Sequence, residues 1–462
     1  MIVKKTTALL LAVLLAFACA LPAFAADGAS PAGFVPVLRF VAASDTHVRA
    51  DSDVTADRIG KMLDEAYAVA GSDAKHPHLD ALVIVGDLTH DGTAPEFDKF
   101  ERAVKGSLRD ETQFLAVVAK NHDGYHQSRK AIRARCKEMT GFDADFHAVI
   151  GGYHFIGVSV SANALLHYDA GQMRWLKAQL DDAVRDDPQK PVFVMHHEPS
   201  YDTTYGSRLY DGWFVPYFSP LMKKYPQIVE ICGHSHYPLN DPRSVWQGAY
   251  TAIGTGAIVS SEFTVDAYRA YHPTDYTETS TCWIIEANAQ NDLRLRGMDV
   301  NAGSFLCDFV IPNPADPGNR PFTPEKRKAA SEAPVFGEGA ALTVTTDGNT
   351  LKTVVPAARA AADDPVVLYR IEAKKANGAA VKDWVLPPYY RATAQESVEF
   401  TLRNLPAGDY TVRVTAENAY GKRSAPLQAD VRLEGKNAVQ LIPDYIRQFF
   451  ADLKDFFVHL FW

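Results

Sequence analysis

The sequence is poor in cysteine, and its cysteines form no recognisable motif. Of the five, Cys19 lies near the N-terminus, and the other four are scattered without a C-x-x-C pair: Cys136, Cys232, Cys282 and Cys307. This spacing argues against a disulfide scaffold and against a zinc ribbon. A single disulfide stays open, and the sequence does not choose its partners.

An excess of positive charge is also lacking. Lysine and arginine total 47 against 56 aspartate and glutamate residues, which gives a formal net charge of −9. Because there is no broad basic surface to neutralise phosphates, nucleic acid is not expected as a partner. A small phosphate ester held by metal ions remains compatible with this charge.

Long apolar runs are lacking beyond the N-terminus. There, Lys4 and Lys5 precede the apolar run 8–21, and Ala23-Phe24-Ala25 has the A-x-A form of a cleavage site. The run is short for a bilayer span. We therefore expect residues 1–25 to be a signal peptide and the mature chain to be secreted or extracytoplasmic. Retention as an anchor and lipidation at Cys19 are the alternatives.

The hydrophobic pattern predicts an α/β domain from about residue 37 to residue 311. Short apolar runs at 38–43, 81–85, 114–119, 191–195 and 227–232 alternate with segments of helical spacing. One of those segments repeats apolar residues at i, i+3, i+4 and i+7 from Ile59 to Ala70, as an amphipathic helix does. At 462 residues, the chain is long enough for two or three domains.

A second domain is expected beyond a linker. Residues 312–334 are rich in proline and charge, which indicates a boundary. Residues 335–433 then change to strand spacing, typical of a small all-β sandwich. The stretch around Tyr410 resembles the end of a fibronectin type III domain, including the position of a tyrosine corner. Such a module usually spaces or binds.

The last segment, 440–462, predicts an amphipathic helix with an aromatic face. Apolar residues that include Phe449, Phe450 and Phe457 share one side, opposite charged residues such as Arg447 and Asp455. Docking onto the protein's own surface, attachment to a membrane or cell surface, and binding of a partner protein all stay open.

The strongest signal is that five apolar strands end in polar side chains of the kind that bind metals. In chain order these are Asp45 and His47, then Asp87, then Asn121-His122-Asp123, then His196-His197, and finally His234 and His236. Ligands of open α/β sheets bind outside the carboxyl ends of strands, so the five ends can converge on one site.

The number and kind of these side chains suggest two metal ions. The strand ends offer three oxygen ligands and four imidazoles, and a single ion does not need seven ligands. Two ions about 3.5–4 Å apart need a bridging carboxylate. Oxygen and imidazole ligands without thiolate favour Mn, Fe or Zn, as two divalent or trivalent transition metal ions.

In this order, the residues resemble the calcineurin-like metallophosphoesterase family, with its pattern D-x-H, G-D, G-N-H-[DE], H and G-H-x-H. The resemblance covers about residues 37–311. It implies a four-layer α/β/β/α sandwich and hydrolysis of phosphate mono- or diesters by a metal-bridging hydroxide. Carried over by position, it implies one ion on Asp45, His47 and His236, a second on Asn121, His196 and His234, and Asp87 between them. It also implies that His122 acts on the substrate and that Asp123 orients His122.

The sequence departs from the family pattern at Lys120, where the family usually has glycine. If the backbone there has a positive φ, lysine is strained; otherwise it is harmless or lends a cation near the phosphate. His197, His90 and Asp91 are expected to support the site or its loops. The competing hypothesis is a surface-associated binding protein with an inert metal domain. Monoesters, cyclic nucleotides and lipid headgroups all stay open as substrates.

Overall fold

The computed structural model describes residues 33–450 except 163–166, 209–217, 267, 268, 272, 274, 362, 363, 393, 394 and 448. The expected signal peptide and the part of the expected C-terminal helix from residue 451 lie outside these residues. Within them, no helix has both the length and the apolarity of a membrane span. The four cysteines after Cys19 are free, so the disulfide that the sequence left open does not form.

The first domain contains two six-stranded sheets. Its elements are β1 (Pro36–Ala43), α1 (Val54–Gly71), β2 (Ala81–Val85), α2 (Ala94–Ser107), β3 (Gln113–Val117), α3 (Arg129–Thr140), β4 (Asp145–Ile150), β5 (Tyr153–Val158), α4 (Ala170–Asp186), β6 (Val192–Met195), α5 (Phe218–Met222), β7 (Ile228–Cys232), β8 (Val245–Gln247), β9 (Thr251–Gly254), β10 (Phe263–Asp266), β11 (Arg269–Tyr271), β12 (Thr281–Asn288), β13 (Leu293–Asp299) and β14 (Ser304–Ile311). One sheet has the order β14-β13-β12-β1-β2-β3, and the other has the order β4-β5-β6-β7-β9-β8.

Three apolar layers hold these sheets and helices together. The first lies between β1–β3 and helices α1, α2 and α3. The second lies between the two sheets and includes Phe40, Phe155 and Phe193, whose rings pack at 4.9–5.2 Å. The third lies between the second sheet and α4 and α5. This is the α/β/β/α sandwich that the resemblance implies.

In this sandwich β1 pairs with β2, β2 with β3, β5 with β6, and β6 with β7, all in parallel. The carboxyl ends of the central strands therefore lie at a common edge of each sheet. The amphipathic helix expected around Ile59–Ala70 is α1, and it buries the predicted residues against the first sheet.

The second domain is a β-sandwich of a three-stranded and a four-stranded sheet. Its elements are α6 (Pro324–Ala330), β15 (Thr343–Asp347), β16 (Thr350–Pro356), β17 (Val366–Lys375), β18 (Ala380–Val385), β19 (Ser397–Leu402), β20 (Gly408–Asn418) and β21 (Leu427–Leu433). The sheets have the orders β15-β16-β19 and β18-β17-β20-β21. The Tyr410 hydroxyl donates to the carbonyl oxygen of Pro406 at 2.8 Å, which is the tyrosine corner that the sequence predicts.

The segment expected to be a linker is more ordered than its composition suggests. It contains α6, whose N-cap Thr323 accepts from the amide of Lys326. Before this helix, the Phe322 amide donates to Gln247 Oε1 at 2.9 Å, and Arg320 donates to the carbonyl oxygen of Pro226 at 2.8 Å. Polar anchors rather than an apolar repeat fix this segment, so hydrophobic periodicity does not reveal it.

Candidate metal centre

Side chains from the ends of β1 and β7 form one group of possible ligands. Asp45 and His47 follow β1, and His236 follows β7. Within this group, His236 Nε2 lies 3.1 Å and His47 Nε2 lies 3.7 Å from Asp45 Oδ1. The second carboxylate oxygen of Asp45 accepts from the amide of His234 at 2.9 Å. The three side chains can thus offer one oxygen and two nitrogens to a single ion.

Side chains from the ends of β2, β6 and β7 form a second group. Asp87, His197 and His234 can hold one ion, and His197 Nε2 lies 3.1 Å from Asp87 Oδ2. Asn121, which follows β3, donates from Nδ2 to Asp87 Oδ2 at 2.8 Å. Because Asp87 Oδ2 is also 3.8 Å from His47 Nε2, Asp87 stands between the two groups.

The polar atoms of these groups fit a metal because several are buried without a hydrogen-bond partner. The unpartnered atoms are Asp45 Oδ1, His47 Nε2, Asp87 Oδ1, Asn121 Oδ1, His197 Nε2 and His236 Nδ1. Leaving a buried polar group unpaired costs about 1–3 kcal/mol. So many in one place indicate that another species completes them, and carboxylate, amide oxygen and imidazole are suitable donors for a transition metal.

The backbone at this edge is strained in a consistent way. Among the described residues, eight other than glycine have positive φ, and five of them belong to the two groups: Asp45 (52°), His47 (41°), Asp87 (49°), His234 (68°) and His236 (54°). Left-handed conformations are costly for residues with a Cβ. Such strain persists where the surrounding structure imposes it, and it collects at functional sites.

The structure corrects the prediction for His196, which turns away from both groups. Its ring stacks on Phe218 at 4.1 Å, and its Nε2 lies 2.7 Å from Glu230 Oε1 on the helical side of the second sheet. The position expected for His196 is taken by His197. The reason is that successive side chains of a strand point to opposite faces of the sheet. Val192 and Val194 face the helices, and His196 continues on that face. Phe193 and Met195 face the other sheet, and His197 continues on that face.

His197 is held in a geometry suited to a metal ligand. Its Nδ1 donates to the carbonyl oxygen of Val85 at 2.8 Å, which leaves Nε2 to face Asp87. A ligating histidine commonly has its second nitrogen fixed in this way. Gly86 makes room for the ring: its φ is 86°, and a Cβ there would lie 2.6 Å from His197 Nδ1.

His122 lies beside the first group, as predicted, but its orienting partner differs. Its ring centroid is 4.1 Å from that of His47 and 4.9 Å from that of Tyr125. Its Nδ1 is 2.7 Å from the carbonyl oxygen of His90, so His90 fixes the ring through its backbone. The side chain of His90 in turn lies 2.6 Å from Arg49 Nη2.

Asp123 does not contact His122 as the resemblance implied. Its carboxylate accepts from the amides of Thr89 and Ala119, both at 3.0 Å, and from the Thr89 hydroxyl at 3.1 Å. Asp123 therefore ties together the loops after β2 and β3. Burial, with the nearby charge of Asp87, raises the pKa of Asp123 to about 7. Asp123 is the buried residue of a short turn, His122–Gly124.

Lys120 has no positive φ, so the strained alternative for this departure does not apply. The side chain is half-buried.

Tyr205 lies in the insertion after His197, and its ring packs against that of Tyr237 at 4.1 Å. The adjoining residues 209–217 lie outside the part of the chain that the structure describes.

Burial and the two carboxylates shift the pKa values of the histidines in these groups in opposite directions. Burial lowers the pKa of His47 and of His234 to about 4. Burial also opposes charge on His236, but Asp45 raises its pKa to about 9. His197 is likewise raised by Asp87 and Asp45. Carboxylates that attract protons onto buried imidazoles would also attract a cation, and a metal would displace those protons.

One family model matches the part of the chain that carries these side chains. Residues 38–238 match the model of the family described as calcineurin-like phosphoesterase. Among curated proteins, no sequence matches the chain. A purple acid phosphatase from yellow lupin is 12% identical, with a TM-score of 0.41, over 60% of this chain and 55% of its own. This chain thus spans about half the length of that phosphatase.

Two further solved structures match a shorter part of the chain. The PKD1 domain of a Vibrio cholerae metalloprotease is 17% identical, with a TM-score of 0.14, over 22% of this chain and 99% of its own. The twitchin kinase region of C. elegans is 21% identical, with a TM-score of 0.18, over 23% of this chain and 17% of its own.

Proposed function

We propose that residues 38–238, which match the family model described as calcineurin-like phosphoesterase, are the catalytic unit of a metal-dependent phosphoesterase, and that the chain hydrolyses phosphate mono- or diesters outside the cytoplasm. The observation that carries the proposal is the set of buried, unpartnered ligand atoms at the ends of five strands. Unlike the buried, unpartnered atoms around His196, these atoms lie in and beside sets of side chains that converge closely enough to hold a metal ion.

The proposed centre is dinuclear. Asp45, His47 and His236 would hold one ion; Asn121, His197 and His234 would hold the other, with Asp87 shared. Asp87 is suited to sharing because its carboxylate approaches histidines of both groups. Bound ions would supply the positive charge that activates water and stabilises phosphoryl oxygens. The donor set favours Mn, Fe or Zn.

His122 is proposed to act on the leaving group. Because its Nδ1 is occupied by the His90 carbonyl oxygen, its Nε2 is the nitrogen left for the substrate. A protonated His122 can donate from Nε2 to the departing alkoxide as a general acid. The carbonyl contact also fixes the plane of the ring, so no rotation is needed when substrate binds.

Export, substrate and surface contact are further parts of the proposal. The A-x-A segment supports a secreted or extracytoplasmic location, where a small phosphate ester such as a nucleotide or a lipid headgroup would be available. Contact with a membrane or cell surface through 440–462 is supported by Ile442, Ile446, Phe449 and Phe450, which are 50–62% exposed. Such exposed apolar side chains commonly mark interaction surfaces.

Metal reconstitution tests the proposed function. Residues 26–462 would be stripped of metal, reloaded with Mn, Fe or Zn, and assayed on p-nitrophenyl phosphate and bis-p-nitrophenyl phosphate. We expect turnover only after reloading, and a preference for one ester that identifies monoesters or diesters. Two bound ions with no turnover on either ester or on nucleotide and lipid-headgroup esters would instead support the inert binding protein.

A further inference from the structure

The β-sandwich domain contacts the phosphoesterase domain through the segment between β18 and β19. We call residues Leu386–Arg391 the tyrosine loop, because it carries Tyr389 and Tyr390. The loop reaches two parts of the first domain: residues 236–243, and the described residues 258–263 together with 275–278. Both parts adjoin the candidate metal centre.

The first contact is made by Tyr390 and Arg391. The Tyr390 ring is 2% exposed and packs 4.6 Å from the buried ring of Phe263. Its hydroxyl donates to Asp275 Oδ1 at 2.8 Å. Arg391 Nη2 lies 2.8 Å from Asp275 Oδ2 and 3.0 Å from Glu278 Oε2. A buried aromatic ring with a charged pair at its edge is a strong anchor.

This contact continues into the metal centre through the backbone. Phe263 follows Glu262, whose amide donates to the carbonyl oxygen of His236 at 3.0 Å. Earlier in the same segment, the amide of Val259 donates to the carbonyl oxygen of Asp45 at 3.0 Å. The segment under Tyr390 therefore holds the backbone of two residues of the first ligand group.

The second contact is made by Tyr389. Asn240 Nδ2 donates to the carbonyl oxygen of Tyr389 at 2.5 Å, and the Tyr389 hydroxyl lies 3.4 Å from Asp241 Oδ2. Asp241 is fully buried and accepts two hydrogen bonds from the Arg243 guanidinium, at 2.6 and 2.8 Å.

From Arg243, the second contact also leads back to His236. The Arg243 guanidinium stacks over the ring of Tyr205 at 3.7 Å, and Tyr205 stacks on Tyr237, the neighbour of His236, at 4.1 Å. The tyrosine loop thus reaches the His236 segment from both of its sides.

We propose that the tyrosine loop is a positioning element for His236, so that the β-sandwich domain is needed for a complete metal centre. The backbone of His236 has a φ of 54°, a conformation that relaxes unless its surroundings impose it. The Glu262 amide and the packing of the adjacent Tyr237 impose it. The tyrosine loop supports the first through Phe263 and the second through Asp241, Arg243 and Tyr205. This rests on the proposed function only in taking His236 as a metal ligand.

Hydrogen exchange and metal titration of the full chain test the proposal. In the variants Tyr390→Ala and Arg391→Ala, we expect faster exchange of the Glu262 amide and of residues 234–241 in the metal-free protein. The affinity for one of the two ions should fall about 10-fold, within the range typical of residues that support a ligand, while the other ion binds as before. Turnover should recover in excess metal with an unchanged KM.

Control variants separate positioning from general damage. Arg432→Ala removes an exposed arginine that pairs with Asp409 and Glu434 inside the β-sandwich domain, and it should change neither exchange nor metal affinity. Tyr390→Phe keeps the ring on Phe263 and loses the hydrogen bond to Asp275, so its effect should be smaller than that of Tyr390→Ala. If Tyr390→Ala misfolds, the half-buried Arg391 still provides the test.

The proposal fails if Arg391→Ala and folded Tyr390→Ala exchange at Glu262 and bind both ions like the parent protein. It also fails if both ions weaken equally and excess metal restores nothing, since that is the signature of general destabilisation. Absence of turnover in the parent protein would contradict the proposed function alone, because exchange and metal affinity remain measurable without it.

Discussion

The ligand edge of the first domain and the core of the β-sandwich place their side chains by opposite rules. At the ligand edge, five residues other than glycine have positive φ, and buried polar atoms lack partners. In the β-sandwich, β20 buries Tyr410, Val412, Val414 and Ala416 in strict alternation with more exposed residues. The described residues of 335–433 include one with a side chain and positive φ, Asn404.

The difference indicates that the ligand edge lowers the folding stability of the chain in return for a site that can bind a cation. Strained backbone and unpaired polar atoms each cost on the order of 1–3 kcal/mol, and at the ligand edge the two occur together, where a cation would recover that energy. The β-sandwich has no such need, and its local strand preference agrees with its packing. Substitutions should therefore act through metal binding in the first region and through unfolding in the second.

The largest effect is expected from His197→Ala, with its neighbour as control. Removing a ligand should release one ion and lower turnover about 10³-fold, equivalent to about 4 kcal/mol. His196→Gln should keep both ions, because His196 packs against Phe218 and Glu230. Metal content by mass spectrometry and initial rates measure both. Loss of metal from His196→Gln but not from His197→Ala would reverse our ligand assignment.

The next effect is expected from His122→Ala. Without the proposed general acid, turnover should fall about 10²-fold or more, while the metal content stays that of the parent protein. The loss should be smaller for p-nitrophenyl esters than for alkyl esters, because p-nitrophenolate needs no proton to depart. Equal losses on both kinds of ester would contradict the role of His122 as an acid.

A core substitution in the β-sandwich should act on stability alone. Ile371 in β17 is 1% exposed and opposite Val414 of β20, so Ile371→Ala should reduce the free energy of unfolding by about 2–5 kcal/mol. Denaturant unfolding measures this. While the domain is folded, both ions should bind with unchanged affinity; a metal defect below the unfolding transition would break the contrast between the two regions.

The smallest effect is expected at the tyrosine corner. Tyr410→Phe keeps the ring and loses the hydrogen bond to Pro406, which should cost about 1 kcal/mol of unfolding free energy. A change in turnover at a temperature where the variant is folded would be unexpected. A loss above about 3 kcal/mol would mean that the hydroxyl does more than close this turn.

The sequence predicts the candidate metal centre because strand ends in parallel sheets meet at one edge, and that rule needs no knowledge of side-chain direction. The prediction that His196 rather than His197 is the ligand was wrong because β6 is buried on both faces. A strand with one polar face would have shown which neighbour points inward; Val192–Met195 has no such face. Which of its residues face the other sheet and which face the helices is seen only in the folded structure.

The role of Asp123 was missed for a related reason. Its partners are the backbone amides of Thr89 and Ala119. Almost every residue type has a backbone amide, so the sequence does not show which residues donate to Asp123. The same holds for the His90 carbonyl that orients His122. The α/β/β/α layers, the sandwich strands and the corner at Tyr410 were predictable because hydrophobic spacing encodes them directly.

The parity of β6 also links folding accuracy to metal uptake. A slip of this strand by one residue against β5 and β7 would move His196, His197 and every neighbouring side chain of the strand to the opposite face of the sheet. Such a chain would present the wrong imidazole geometry and lose an ion. A metal ion that binds only the correctly registered chain would therefore stabilise the native strand pairing relative to the slipped one.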